Sequence, residues 1–332
     1  MKNLSLLVIA VTAVSCSKIS PGLPDCYREV DQVLWAVSDL QRTIGGYQAL
    51  GFTQINDHGT TNIYSANSKS TAVVRLALAN LGGAHVIWVE PGDQESVFHE
   101  SLARHGEGAL ALVHRFPGKG EMKKELKRLD ALGVGILDEI SIEVGGEKVP
   151  YVLMDTREKG KYVLGFTWGE KGSKAFAGPG TQNRHGMKLN QYAFAIRDPD
   201  PVSRFWSSLG LPELEISYPE LGNPMYYGAP ADHELIQGWQ RHGSIAYEWC
   251  IPVKPPIVYE DHIQLHGEGI HHLAFEVEEM DPVLEDYRSR GFVVSMGGTW
   301  GEEGKSGSGR YEYIDLENRG GVTMELLWNF KE

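Results

Sequence analysis

Cysteine, positive charge and long apolar runs are all scarce in this chain. Three cysteines in 332 residues are too few for a disulfide framework. Lys and Arg total 31 against 44 Asp and Glu, for a net charge of −13. Such a surface repels phosphate backbones, so nucleic acid is not an expected partner. No apolar run reaches the roughly 20 residues that a membrane-spanning helix needs. Also missing are a Gly-x-Gly-x-x-Gly dinucleotide fingerprint, a His-Glu-x-x-His zinc motif and a Gly-x-Ser-x-Gly nucleophile elbow. Gly304-Lys305-Ser306 ends like a phosphate loop, but Thr299 stands where that loop needs its earlier glycine. What is present is globular in balance: 42% hydrophobic and 23% charged residues, which excludes a disordered or collagen-like chain. The 39 glycines point to many turns between short strands.

The first residues read as a separate object. Met1-Lys2-Asn3 is a short basic start, and 4–14 is an apolar run too short to span a bilayer. The pattern fits the apolar region of an export signal. Ala13-Val14-Ser15-Cys16 resembles a bacterial lipobox, which makes Cys16 a candidate for lipidation. The expectation is a signal at 1–16, a tether at 17–26 and an exported, periplasmic or envelope lipoprotein, with a cytoplasmic protein as the alternative. The membrane is then met only through that anchor. Cys26 and Cys250 would be left to pair or to stay free.

The remainder repeats itself. His-Gly-Glu-Gly occurs at 105–108 and again at 266–269, an offset of 161. Asp31-Gln32-Val33-Leu34-Trp35 matches Asn190-Gln191-Tyr192-Ala193-Phe194 at an offset of 159, and 155–168 matches 315–328 at 160. A constant offset near 160 indicates an internal duplication, with domains at 27–172 and 187–330. Each half carries a weaker sub-repeat of about 80 residues, read from strand-opening Gln191 and His272. Each unit reads as an alternating strand, a short amphipathic helix ended by Gly-Phe or Gly-Leu, and three further strands. The expected class is α+β, with four βαβββ modules.

Paired βαβββ units with a strand-opening His, a glycine helix exit and a closing Glu325-Leu326-Leu327 resemble the vicinal oxygen chelate superfamily. That group includes glyoxalase I, methylmalonyl-CoA epimerase, extradiol dioxygenases and the fosfomycin- and bleomycin-resistance proteins. Gly267-Glu268-Gly269-Ile270-His271-His272 is most similar to the glyoxalase and epimerase branches. The resemblance covers about 28–330 and implies two paired glyoxalase-like domains, each a cupped sheet. In that family the first and fourth strands of each module supply the metal ligands.

Carried over, those positions are Gln191, Glu248, His272 and Glu325 in the C-terminal half. Strand alternation puts His272 on one face and His271 on the other, with His271 as the alternative ligand. Three oxygen donors and one nitrogen suit one divalent ion such as Zn, Mn, Co, Ni or Mg. The corresponding N-terminal positions are Gln32, Ile87, Ala111 and Gly165; three of these cannot ligate, so that half is expected to be a degenerate copy. A Gly-rich segment at 297–309, with Trp300, Lys305 and Arg310, is of the kind that in this fold can cover the cup; Arg310 and Lys305 are candidates to hold an anionic substrate group, with a solvated loop as the alternative. Tyr226, Tyr227 and His242 are weaker candidates for lining it. His262 and His266 are expected as solvated helix residues.

The resemblance implies a metal-dependent lyase or isomerase of the glyoxalase or epimerase type. Its substrate would be a small hydroxy-carbonyl or dicarbonyl compound. A proton would be moved next to the carbonyl by Glu325 or Glu248, through a metal-stabilised enediolate. The alternatives are a non-catalytic binding or resistance protein and an extradiol-type dioxygenase, the latter disfavoured because Gln191 replaces a histidine. Four modules in one chain allow a monomer as well as a homodimer.

Overall fold

The computed structural model describes residues 23–169, 180–244 and 246–331. The expected signal, Cys16 and most of the linker between the halves lie outside these residues. The expected tether is described only from Leu23, which packs against the core beside a 3-10 turn at Asp25–Arg28.

The first module is β1 (Gln32–Ala36), α1 (Leu40–Leu50), β2 (Ile55–Ser65), β3 (Ser70–Leu81) and β4 (Ala84–Pro91). A linking helix, α2 (Val97–His105), leads to the second module. That module is β5 (Gly108–Phe116), α3 (Lys119–Ala131), β6 (Ile136–Val144), β7 (Glu147–Met154), the short α4 (Arg157–Gly160) and β8 (Val163–Trp168). The third runs β9 (Lys188–Ala195), α5 (Pro199–Ser208), β10 (Glu215–Ser217), β11 (Leu221–Tyr226), β12 (Ala229–Pro230), β13 (Glu234–Arg241) and β14 (Ala246–Lys254). After the linking helix α6 (Val258–His266), the fourth is β15 (Gly269–Glu276), α7 (Met280–Ser289), β16 (Val294–Trp300), β17 (Gly309–Ile314) and β18 (Thr323–Asn329).

The helices start and stop where local chemistry dictates. Asp39 caps α1 by accepting from the Arg42 N–H, and Leu40, Ile44, Tyr47 and Leu50 form its buried stripe. Gly51 ends it at φ 107°, where an added Cβ would also strike Arg184 at 2.7 Å. Asp198 caps α5, Pro199 occupies its first turn, and Val202 and Trp206 are its buried anchors.

The two halves differ in closure. The N-terminal strands form a closed barrel in the order β1-β4-β3-β2-β6-β7-β8-β5. The C-terminal strands form a ten-stranded sheet in the order β10-β13-β14-β9-β15-β18-β17-β16-β11-β12, with free edges at β10 and β12. The break occurs where continuous β2 has its counterpart in two pieces. Between them lies Tyr218-Pro219-Glu220, and proline has no N–H for a ladder. β10 therefore stays with β13 while β11 crosses to β16. The barrel interior is filled by an apolar cluster that includes Leu34, Leu76, Ile87, Ala111, Val113 and Ile142. Gln32 there accepts from the Tyr151 hydroxyl at 2.8 Å, and a Cβ at Gly165 would meet Val113 at 2.8 Å. The inner positions of the N-terminal copy are apolar where the C-terminal sheet carries Glu248, His272 and Glu325.

One continuous core joins the halves. Tyr162 stacks on Trp206 at 4.6 Å, and the Trp206 indole donates to the Gly160 carbonyl at 3.1 Å. Tyr287 donates to the Leu50 carbonyl at 3.0 Å, and Trp35 to that of Gly320 at 2.7 Å. The repeated His-Gly-Glu-Gly motif is part of this seam. His105 Nδ1 faces the His266 carbonyl at 3.1 Å and His266 Nδ1 faces the His105 carbonyl at 2.6 Å. Glu107 holds Ser38 and Arg42, while Glu268 holds Lys161 and the Arg197 N–H. His266 is therefore a clasp rather than the solvated residue expected from sequence.

This clasp depends on pH. Hydrogen bonding to Glu317, 2.8 Å from His266 Nε2, raises the His266 pKa above its ordinary value. A folded-state value above the unfolded one stabilises the protein fully below about pH 6.5 and loses that contribution as pH rises through the folded value. Urea midpoints of wild type and Glu317→Gln are expected to differ most in mildly acidic buffer and to converge in alkaline buffer. A gap that widens with pH would contradict the clasp.

Candidate metal centre

Strand register gathers the four carried-over side chains on the concave face of the C-terminal sheet. Glu248 pairs with Ala193 and then His272 across β14, β9 and β15; Gln191 pairs with Ala274 and then Glu325 across β9, β15 and β18. Two adjacent rows thus point their side chains into one volume. Ala193 and Ala274 keep the floor low between the longer groups. All four side chains are buried: Gln191 is 4% exposed, Glu248 2%, His272 0% and Glu325 4%.

The ligand atoms converge. His272 Nε2 lies 3.2 Å from Glu325 Oε2 and 3.5 Å from Glu248 Oε2. One atom from each of these residues falls within 4.8 Å of the other two, and among the described residues this is the one such group of three. The Gln191 amide donates to Glu248 Oε2 at 2.6 Å and to Glu325 Oε2 at 3.2 Å. A half-turn of that amide about its last torsion puts an oxygen where the nitrogen stands.

The donor set fits a divalent cation. Two carboxylates held together away from water need a positive charge beside them. His272 answers that need in part: burial lowers its proton affinity, but Glu325 and Glu248 together push it up to about 9. Burial raises the Glu325 pKa above the usual carboxylate range, against the pull of His272. An ion with one imidazole and several oxygen donors satisfies the same charges.

A supporting layer holds Glu248, Glu325 and His272. Gln237 donates to Glu248 Oε1 at 2.6 Å, so both oxygens of Glu248 are engaged. The Tyr259 and Tyr313 hydroxyls meet at 2.6 Å, and Tyr313 hydrogen-bonds Glu325. His271 Nδ1 lies 2.8 Å from His272 Nδ1. Simple alternation had placed His271 on the opposite face. A register shift between Ile270 and His272 against β9 swings its ring toward Tyr259 and Tyr313 instead. His271 thus stands behind His272, and it is His272 that faces Glu248 and Glu325. With Nε2 of His272 on a metal, its Nδ1–H donates to His271, which burial keeps neutral by lowering its pKa. His271→Phe is expected to weaken metal affinity by about 10–100-fold, and His271→Asn, which keeps an acceptor near Nδ1, to restore most of it. Equal affinity of wild type and His271→Phe in a chelator-competition titration would remove this role.

Other candidates are placed differently. Arg310 was expected in a loop over the cup, but it lies inside β17. Alternation there turns Tyr311 and Tyr313 inward and Arg310 toward the helices, where it binds Glu312 and Asp281 at 2.6 Å each. Lys305 is exposed in the 301–308 loop. Trp300 packs at the rim against the cup's apolar wall. Tyr226 also reaches that wall and donates to Asp261, whereas Tyr227 donates to Asp315. His242 stacks on Tyr247, on the core side. Cys26 and Cys250 are both free; burial pushes the Cys26 thiol up to about 12 and that of Cys250 well up, so neither is a reactive thiolate. Sequence reading missed Gln237, which donates to Glu248, although the alternation along Leu235-x-Gln237-x-Trp239 carried the signal.

Residues 190–309 match the family model described as the Glyoxalase/Bleomycin resistance protein/Dioxygenase superfamily. Among solved structures, the chain is similar to a triple mutant of 4-hydroxymandelate synthase from Streptomyces coelicolor. The match has 12% identity and a TM-score of 0.61, covering 91% of this chain and 92% of that one. A xylose isomerase-like TIM barrel/4-hydroxyphenylpyruvate dioxygenase fusion protein matches at 15% identity, 96% and 50% coverage and a TM-score of 0.49. A catechol 2,3-dioxygenase matches at 13% identity, 92% and 88% coverage and a TM-score of 0.46. At such identities the 4-hydroxymandelate synthase match shows a shared fold.

Proposed function

We propose that this chain, whose C-terminal half is a domain of the glyoxalase/bleomycin resistance/dioxygenase superfamily, is a divalent-metal-dependent lyase or isomerase. It moves a proton next to a carbonyl in a small hydroxy-carbonyl or dicarbonyl substrate. The observation that carries this reading is the convergence of Glu248, His272 and Glu325 on one buried point beside the Gln191 amide. A divalent ion held there acts as a Lewis acid on the substrate oxygens.

The protein groups divide the remaining work. Glu248 is clamped at both oxygens by Gln191 and Gln237, which makes it an anchored ligand. Burial alone raises the Glu325 pKa; a cation beside it would pull it back down, so its basicity would come from displacement off the ion by substrate. Glu325 sits beside the same centre and takes the role of proton carrier. Gln191, adjacent to both carboxylates, fixes their spacing. The apolar and aromatic wall of Leu235, Met296, Tyr311 and Tyr313 keeps water from competing for that proton.

The test is solvent exchange. Metal-loaded protein in D2O is expected to exchange the hydrogen next to the carbonyl of at least one member of a hydroxy-carbonyl and dicarbonyl panel, followed by proton NMR. Glu325→Gln keeps an oxygen donor but is expected to slow exchange by about 10²–10⁴-fold. Unchanged exchange in that variant would remove Glu325 from the role.

A second reading is oxygen-dependent chemistry, favoured by the fold shared with 4-hydroxymandelate synthase. Against it stands the ligand set, which has one histidine where the facial triad of non-haem Fe(II) oxygenases has two. Oxygen uptake by the Fe(II)-loaded protein with a 2-oxo acid or a catechol, without solvent exchange, would favour this reading over proton transfer.

A further inference from the structure

We propose that Arg157 anchors a binding site for a small oxyanion, a carboxylate or phosphate group, at the seam between the two halves, in the place that the Glu317 carboxylate fills in the other copy of the repeat. The site stands apart from the metal centre and does not rest on that reading.

The duplication places the residue. An offset of 161 carries His105 onto His266, and an offset of 160 carries Arg157 onto Glu317. The two histidines clasp each other symmetrically, each with Nδ1 on the other's carbonyl, at 3.1 and 2.6 Å. Their surroundings then diverge. His266 Nε2 lies 2.8 Å from the Glu317 carboxylate. His105 has the Arg157 guanidinium as its neighbour instead, so one copy sets opposite charges together and the other sets like charges together. Arg157 opens α4, just before β8, and its charge also acts on His262 of α6, so the site draws on both halves. Arg157, His105 and His262 are all half-buried, which leaves a small solute a way in.

The electrostatics ask for an anion. Arg157 Nε is buried without a hydrogen-bond partner. Among the described residues no carboxylate attracts the guanidinium, and burial lowers its pKa to about 10. A charged group taken from water without a counter-ion costs stability. The planar fork of arginine matches two oxygens of a carboxylate or phosphate. Burial, then Arg157, lower the His105 pKa; the hydrogen bond to the His266 carbonyl opposes them, and the charges of Arg104 and His266 add to them. With Nδ1 on that carbonyl, the His105 ring donates to an anion through Nε2 only as an imidazolium. An oxyanion beside Arg157 cancels the repulsion and lets that proton on, as Glu317 does for His266.

The experiment uses the full chain in Bis-Tris at about pH 6, near the ordinary histidine value. Sodium phosphate or sodium acetate is compared with sodium chloride at equal ionic strength, and Tm is read by circular dichroism. At saturation one or both oxyanions are expected to raise the wild-type Tm by about 2–5 °C more than that of Arg157→Gln. General salt effects, and any anion taken up at the metal centre, fall on both proteins alike. The larger shift tells a carboxylate site from a phosphate site. Arg157→Glu copies the Glu317 arrangement, so it is expected to exceed wild type in chloride and to respond to neither oxyanion. Equal responses of wild type and Arg157→Gln overturn the site. An Arg157→Glu chain less stable than wild type in chloride overturns the placement of Arg157 against His105, and the site with it.

Discussion

His272→Ala and Glu325→Ala are each expected to abolish metal binding while leaving the protein folded. His272 supplies the one nitrogen at the centre, and its ring is fully buried against Tyr313 and His271. Without it, Glu248 and Glu325 face each other with no cation between them except a captured proton. Without Glu325, one of the two carboxylates is gone and the Tyr259–Tyr313 pair loses its acceptor. Loss of a supporting partner typically weakens a metal by about 10–100-fold, so loss of a ligand must cost more. The check is elemental analysis of each variant after reconstitution, with circular dichroism to confirm the fold. A full complement of metal in His272→Ala would move the ligand role elsewhere, to His271 first.

Trp206→Ala is expected to cost about 3–5 kcal/mol, the range for deleting a buried tryptophan. Trp206 is the anchor of α5 and reaches across the seam between barrel and cup. It stacks on Tyr162 and donates to the Gly160 carbonyl, and a Cβ at Gly160 would fall 2.4 Å from its ring. Removing it opens a cavity at the seam, inside the core that the two halves share. Urea unfolding followed by tryptophan fluorescence reads the effect. A loss under about 1 kcal/mol, the scale of an ordinary substitution, would mean that the two halves are stable without this contact.

The repeat made much of the fold legible. Offsets near 160 residues align strand with strand, and a ligand position inferred on one strand brings its neighbours by register alone. Gln191, Glu248, His272 and Glu325 meet in one cup for that reason. In the N-terminal copy, Ile87 and Ala111 belong to the apolar cluster inside the barrel and Gly165 lies against Val113.

Local irregularities were not legible. The register shift at Ile270/His272 turns His271 inward, and nothing in the periodicity marks it. Arg310 was misjudged: it lies in β17, where Tyr311 and Tyr313 face the cup while Ile314 joins the main core. The Arg310-Tyr311-Glu312-Tyr313 alternation does mark a strand, but the Gly-rich run before it reads as a loop that continues through Arg310. His266 reads as a polar helix end until the second copy of its motif is seen folded against it. The broken strand at Tyr218-Pro219-Glu220 was visible as a proline, yet its consequence, an open cup beside a closed barrel, needs the partner strand β16.

The central claim is a single divalent-metal centre in the C-terminal cup. Its most direct test is the metal stoichiometry of the full chain after reconstitution with excess Zn, Mn, Co or Ni and removal of loosely bound ions. The account predicts about one ion per chain, as a single set of three gathered ligand residues demands. Two ions per chain would contradict the apolar N-terminal barrel, and none would contradict the centre itself.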